Sequence, residues 1–359
     1  MRVLHVYQVY LPEDFTGIPR VIWEMCEGMA KYGVESEVLC LAKNSPPMRL
    51  KIDGHIVHQV RTDFRVASTS FSFSIFKMFR ELISRFDVVH YHFPWPPGDL
   101  LFLLAGRAKP SIVSYHSDIV KQRLLKKLYS PIQKLFLGNV DAIVAASPNY
   151  LASSPVLAKY RNKVSVIPYG LAERILPSED LMSYWKEKVG EGFFLFVGSQ
   201  RYYKGLQFLL QAARINGLPV VLAGARLSEN LDLPENVINL GQVSDADREA
   251  LLELCLAFVF PSHLRSEAFG VALLEAARAG RPMISCEIGT GTTFVNQANE
   301  TGIVVPPRDP LAVAEAMLKI TLDTKLSRRL GKAARHRYET LFRSEIMSES
   351  YIGLYSETM

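Results

Sequence analysis

Two loops of this chain hold residue types that could do chemistry. In the first, Gly198-Ser199-Gln200-Arg201-Tyr202-Tyr203-Lys204-Gly205 follows an apolar run and precedes a helix-forming stretch. Glycine permits a tight turn there, and Arg201 and Lys204 arrive just ahead of a helix N-terminus. Fixed cations, free backbone N–H groups and a positive dipole end are what a pyrophosphate needs. By spacing alone, a solvated surface loop is the more common meaning of such cations. In the second loop, Pro261 to Gly270 leads into a helix, Ala272–Ala279, whose first N–H groups form another anion site. Glu267 precedes this helix and Glu275 lies within it, eight residues on, so two carboxylates can address two parts of one extended ligand. A helix glutamate is usually solvated. Here Leu273, Leu274, Ala276 and Ala277 surround Glu275 in sequence and predict partial burial, which calls for a charge partner.

Histidines mark two other strand ends. His90-Tyr91-His92 follows DVV, and Tyr115-His116-Ser117-Asp118 follows IVS. His116 is placed for polar contact with a ligand, although a lone histidine is more often structural. The H-x-H pair has no third ligand close in sequence, so no metal is expected there. The D-x-D at Asp245-Ala246-Asp247 reads as part of a capping box begun by Ser244, not as a metal site.

The elements that must position these residues alternate. Met1–Tyr7 is an apolar strand; Ile18, Val21, Ile22, Met25, Cys26 and Met29 then recur at helical spacing; Glu37–Leu41 is a second strand. Pro19 suits the first turn of that helix and Gly33 its C-terminal end. Strands follow at 87–90, 112–115, 141–145 and 163–167, and a second series at 193–197, 219–223, 237–240, 257–260 and 282–285. From about Leu311 the chain reads as helical. This predicts an α/β fold with two doubly wound halves and a break near Pro168-Tyr169-Gly170. Ligands of such sheets sit beyond the carboxyl ends of the strands, so the loops above fall where two facing halves form a cleft.

Composition narrows the classes. The 359 residues carry 41 Lys+Arg against 36 Asp+Glu, a net charge of +5 too weak to imply a nucleic-acid partner. Apolar residues make 48%, which excludes disorder and collagen. No apolar run reaches the length of a membrane span, and the N-terminus does not resemble a signal peptide. A cytoplasmic protein is expected, with Cys26, Cys40, Cys255 and Cys286 as buried free thiols. Residues 121–136 combine Lys121, Arg123, Lys126, Lys127 and Lys134 with Leu124, Leu125, Leu128, Ile132, Leu135 and Phe136 on one helical face. Such a helix either packs into the domain or lies on an anionic membrane, and Pro131 is expected to kink or end it.

Taken together, SEAFGVALLEAARAGRPMI, GSQRYYKG, Gly17, His116 and the PYG segment resemble the GT4-type retaining glycosyltransferases of GT-B fold, over essentially the whole chain and in the same order. The resemblance implies two Rossmann-like domains facing across a cleft. Residues 1–170 would bind the acceptor, 171–338 the nucleotide sugar, and the helix 339–359 would cross back to the N-terminal domain. It implies that Arg201 and Lys204 grip the donor diphosphate and that the N–H groups of Phe269, Gly270 and Val271 cap it. Glu267 would contact the transferred sugar, Glu275 the ribose, and His116 the sugar from the other domain. Gly17 would let the first loop approach phosphate or acceptor, and Asp118 is a weaker acceptor candidate. Many members have Arg where this chain has Ser199, a role Arg201 could take. Retention by front-face attack is implied, with no metal or cofactor beyond the nucleotide sugar. YHFPWP, YHSDIVKQ and GTGTTFVN look like the bacterial branch that adds mannose or deoxymannose from GDP-sugars to a lipid-linked or oligosaccharide acceptor of surface polysaccharide. Such an enzyme is cytoplasmic or peripheral on the inner face of the membrane. An epimerase of the same fold and a non-catalytic nucleotide-sugar binder are the rival readings.

Overall fold

The computed structural model describes residues 1–43, 48–66, 69–106, 109–119, 123–224 and 232–359. It divides into two units: Met1–Ala172 with Ser344–Met359, and Glu173–Arg343.

The first unit runs β1 (Arg2–Val6), α1 (Ile18–Ala30), β2 (Glu35–Ala42), β3 (Met48–Ile52), β4 (His55–Arg61), β5 (Phe64–Val66), β6 (Thr69–Phe71), α2 (Ser74–Ile83), β7 (Val88–Phe93), α3 (Pro96–Leu101), β8 (Ser111–Tyr115), α4 (Arg123–Asn139), β9 (Ala142–Ala145), α5 (Pro148–Ser153) and β10 (Val164–Val166). Its main sheet has the order β10-β9-β8-β7-β1-β2-β4-β3. All pairs are parallel except β3 with β4, a hairpin closed by Asp53-Gly54. Asp53 takes a positive φ of 46°, as the two-residue hairpin turn demands. The near-complete burial of β1, β7 and β9 is what a parallel sheet covered on both faces requires.

The second unit runs α6 (Glu179–Val189), β11 (Phe194–Val197), α7 (Leu206–Asn216), β12 (Val220–Ala223), β13 (Val237–Asn239), α8 (Asp245–Leu254), β14 (Ala257–Phe260), α9 (Val271–Arg278), β15 (Met283–Cys286), α10 (Thr292–Val295), β16 (Gly302–Val305), α11 (Pro310–Leu322) and α12 (Thr324–Leu341). Its parallel sheet has the order β13-β12-β11-β14-β15-β16, doubly wound about β11. Phe194, Phe196, Leu209, Leu222 and Val259 are fully buried in its core, each worth about 1.5–3 kcal/mol of apolar transfer. The last helix, α13 (Ser344–Thr358), lies on α1 of the first unit. Gly28 makes that approach close, since a Cβ there would fall 2.3 Å from Ser348 Oγ.

Of the two outcomes expected at Pro131, an end to the helix does not occur: α4 continues through it. Pro131 is exposed, on the side where water can satisfy the carbonyl that loses its partner. The described apolar residues of α4 differ in burial. Phe136 is buried, whereas Leu128 and Leu135 are 72% and 56% exposed. Residues 120–122 and the side chains of 123–127, which include Lys121, Arg123, Leu124, Leu125, Lys126 and Lys127, lie outside the described residues. The four cysteines are free and buried.

Candidate active site

In the second unit the functional loops converge at the carboxyl ends of β11 and β14. Gly198 leaves β11 at φ 153°, and Lys204 folds back over it. A Cβ on Gly198 would lie 2.8 Å from Lys204 Nζ. Lys204 Nζ also lies over the ring of Phe260, 5.6 Å from its centroid. Gly205 then takes φ 70° and presses against the next loop, where a Cβ would meet the Pro261 carbonyl oxygen at 2.0 Å. The His263 N–H donates to the Tyr203 carbonyl at 2.9 Å, a second tie between the two loops. Neither residue pair is adjacent in sequence; the neighbouring positions of β11 and β14 in the sheet create the contact.

These ties place Lys204 beside Glu267. Burial raises the Glu267 carboxyl above its ordinary value, against the opposing pull of the Lys204 ammonium and a 3.5 Å hydrogen bond from Ser262 Oγ. Tyr203 is pushed up to about 12, by burial first and then by Glu267, with Arg201 pulling the other way. Arg201 itself is exposed at the rim. One carboxylate, two cations and a phenol thus feel one another at one strand end.

Beyond Glu267 the loop enters α9 through Gly270, at φ 91°. Helix α9 begins at Val271, and within its first turn the Leu273 N–H donates to the Gly270 carbonyl at 2.9 Å. Phe269 is buried, and the Gly291 N–H donates to the Ala268 carbonyl at 2.8 Å. Arg265 Nη1 donates to the Gly289 carbonyl at 2.8 Å, so the loop is stapled on its far side. Glu275, one turn further, is 7% exposed, and its expected partner is Arg248 of α8, at 3.1 Å. Sequence spacing did not reveal Arg248, because it lies on a different helix and meets Glu275 only in the folded unit.

Asp247 has another duty. Ser244 and Asp247 form a reciprocal capping box, and Asp247 also accepts from Trp185 Nε1 at 2.9 Å. A separate cavity, lined by Gly192, Cys255, Pro282 and Gly331, lies at the opposite, N-terminal ends of β11, β14 and β15.

In the first unit Gly17 caps α1 at φ 62° with open space where a Cβ would stand. Asp118 is braced from within: its Oδ1 accepts from Tyr115 Oη and Ser154 Oγ, both at 2.8 Å. His116 is 4% exposed, and both ring nitrogens are engaged. Nε2 pairs with His92 Nδ1 at 2.9 Å and Nδ1 with Tyr169 Oη at 2.5 Å. His92 Nε2 pairs in turn with His5 Nδ1 at 3.1 Å. His90 pairs with Tyr355 Oη at 2.6 Å and Ser114 Oγ at 2.8 Å. Parallel pairing sets His5 beside His90, and the two-residue period of a strand puts His92 on the same face. His5, His90 and His92 offer nitrogens within 4.8 Å of one another. An ion there would have to part nitrogens that already bond each other, Ser114 or Tyr355.

Two doubly wound units, one with a cation-and-carboxylate strand end, define a transferase architecture. Residues 15–172 match the family described as Glycosyltransferase Family 4, and residues 178–337 match Glycosyl transferases group 1. The chain is 49% identical over 352 residues to the D-rhamnosyltransferase WbpZ of Pseudomonas aeruginosa, covering 95% of this chain and 92% of that one. It is 44% identical over 365 residues to the O-antigen chain mannosyltransferase C of Escherichia coli, covering 99% and 98%. Among solved structures, HepE of Anabaena in complex with UDP-glucose superposes with a TM-score of 0.76 at 14% identity, over 99% of this chain and 100% of that one. The chain belongs to the GT4-type glycosyltransferases, with the GT-B fold, and it is an enzyme of sugar transfer.

Proposed function

We propose that this glycosyltransferase moves a mannose or deoxymannose unit from a GDP-sugar to a lipid-linked or oligosaccharide acceptor in surface-polysaccharide synthesis. The observation that carries the reading is the near-full-length identity to a D-rhamnosyltransferase and to an O-antigen chain mannosyltransferase. An epimerase or an inactive binder has no such support.

In this reading the second unit holds the donor. Breaking the sugar–phosphate bond leaves negative charge on the nucleoside diphosphate. Arg201, Lys204 and the amides of Phe269, Gly270 and Val271 stabilise it where it grows, each oxyanion-type contact being worth about 3–4 kcal/mol. This is the service a divalent metal performs elsewhere, so the reaction needs no bound metal or cofactor. Glu267 holds hydroxyls of the transferred sugar, and the Lys204 ammonium beside it opposes the upward push of burial on its carboxyl. Glu275, oriented by Arg248, takes the ribose hydroxyls. The first unit holds the acceptor, with His116 touching the transferred sugar and Gly17 giving the first loop its close approach. Asp118 positions the loop after β8 and acts on the acceptor only through it, because its carboxylate already serves Tyr115 and Ser154. Retention follows from front-face attack, the departing phosphate taking the acceptor proton.

We place residues 121–136 at the inner membrane surface, with Leu128 and Leu135 exposed beside Lys134. Among the described residues no helix is long and apolar enough to cross a membrane.

The test is transfer of radiolabelled sugar from GDP-mannose and GDP-rhamnose into a lipid-extractable product. Label in that fraction, lost in Lys204→Ala, supports the reading. Conversion of the donor to an isomer without acceptor overturns it in favour of the epimerase.

A further inference from the structure

His5, His92 and His116 form a line of three imidazoles joined edge to edge. Ring centroids are 5.4 and 5.2 Å apart, and the planes lie within 25° and 11° of parallel. That is the geometry of in-plane N–H to N hydrogen bonds, and the nitrogen separations of 3.1 and 2.9 Å agree. Burial depresses His5 and His116 to about 3 and His92 well below its ordinary value, so each ring is neutral and carries one N–H.

A row of neutral rings has two consistent arrangements. In one, every ring donates toward Tyr169. His5 Nδ1–H donates to His92 Nε2, His92 Nδ1–H to His116 Nε2, and His116 Nδ1–H to the Tyr169 hydroxyl. In the other, every ring donates toward His5. The far end decides between them, because His5 Nε2 is buried and, among the described residues, has no hydrogen-bond partner. The first arrangement leaves there a bare lone pair; the second leaves an unpaired N–H, the rarer and costlier orphan.

We propose that His92, backed by His5, is a positioning residue that fixes His116 as the Nδ1–H tautomer, so that His116 donates from Nδ1 to an oxygen of the bound nucleotide sugar in place of the Tyr169 hydroxyl. The inference rests on the sugar-contacting role proposed for His116. It adds the direction of that contact and the residues that set it. Held at Nε2 by His92, the ring keeps its plane while Nδ1 exchanges Tyr169 for substrate. In the structure that Nδ1 partner is the Tyr169 hydroxyl.

The test uses the isosteric pair His92→Asn and His92→Asp in the full chain. The Asn amide can accept from His5 and donate to His116, as the imidazole does. The Asp carboxylate can only accept, which turns His116 into the Nε2–H tautomer. Two-bond 15N–1H spectra of ring-labelled protein read the tautomer directly. The expected results are Nδ1–H at His116 in the wild type and in His92→Asn, with turnover kept. In His92→Asp, Nε2–H and a loss of about 100-fold in kcat are expected, with donor KM moved far less. An Nε2–H wild type overturns the proposal, whether or not His92→Asp folds. Equal kcat in folded Asn and Asp variants overturns it too. Full activity in His116→Ala would instead remove the underlying role of His116, an outcome separate from either.

Discussion

The bare α-carbon of Gly205 lies against the carbonyl of Pro261, so close that a methyl group there would stand 2.0 Å from the oxygen. Through this contact the loop bearing Arg201 and Lys204 is held to the loop bearing Glu267. Gly205→Ala must therefore do more than strain a left-handed residue, which costs about 1–2 kcal/mol. It must part the two loops. Gly217 is the control, with φ 67° and nothing within 4 Å of its missing Cβ. Both variants should melt at lower temperature, Gly205→Ala the more so, and only Gly205→Ala should lose transfer, by about 100-fold. Equal activity in the two would mean that the loop contact does not serve the reaction.

Glu267 allows a prediction with a sign. Its carboxyl is raised in the folded protein, so the folded state holds its proton more tightly than the unfolded chain does. The stability this contributes is present below the unfolded value of about 4.3 and lost as pH rises through the raised folded value. Glu267→Gln, which carries no charge, should thus be more stable than wild type at pH 7–8, and the gap should close below pH ~4. Its transfer activity should nonetheless fall by orders of magnitude. Denaturant midpoints across this range, with activity at pH 7.5, check both halves.

The histidines of the first unit act in the opposite sense. His5, His90, His92 and His116 all have depressed folded values, burial being the first cause. The unfolded chain protonates them near pH ~6.5 while the folded protein does not. Stability is therefore full above that pH and lost as pH falls toward the depressed values. His90→Gln removes one such group while keeping a donor and an acceptor for Ser114 and Tyr355. Its stability should decline less steeply from pH 6.5 to 5 than that of wild type. An unchanged slope would contradict the burial of a neutral ring.

Much of this was legible beforehand, and the omissions have causes. The strand–helix alternation, the capping box at Ser244 and the run from Glu267 to Glu275 are local patterns, and the sequence carries them openly. The hairpin of β3 and β4 is not expected from the apolar pattern, although Asp53-Gly54 is a strong turn signal, because β3 is largely exposed at the sheet edge. The imidazole line could not be read. His5, His92 and His116 are separated by 87 and 24 residues, and only strand register brings them together. Arg248 and Glu275 lie on different helices, α8 and α9, and meet only through the tertiary fold. Helix α4 passes Pro131 because an exposed position tolerates a missing hydrogen bond, a fact of burial and not of sequence.

Exposed Leu128 and Leu135 make the membrane proposal testable. Sedimentation with vesicles containing phosphatidylglycerol should exceed that with neutral phosphatidylcholine and weaken with salt. Leu128→Gln with Leu135→Gln should reduce it further. Equal partitioning into both vesicle types would refute electrostatic docking.

Donor chemistry at Lys204 and Glu267 is read out by nucleotide release. GDP-mannose, GDP-rhamnose, GDP-fucose, UDP-glucose and UDP-N-acetylglucosamine would each be incubated with the enzyme and a crude lipid extract in EDTA, and released nucleotide measured. The account predicts GDP release from the mannose or rhamnose donor, undiminished by the chelator and abolished in Lys204→Ala. Release of UDP alone, or release that requires added metal, would contradict it.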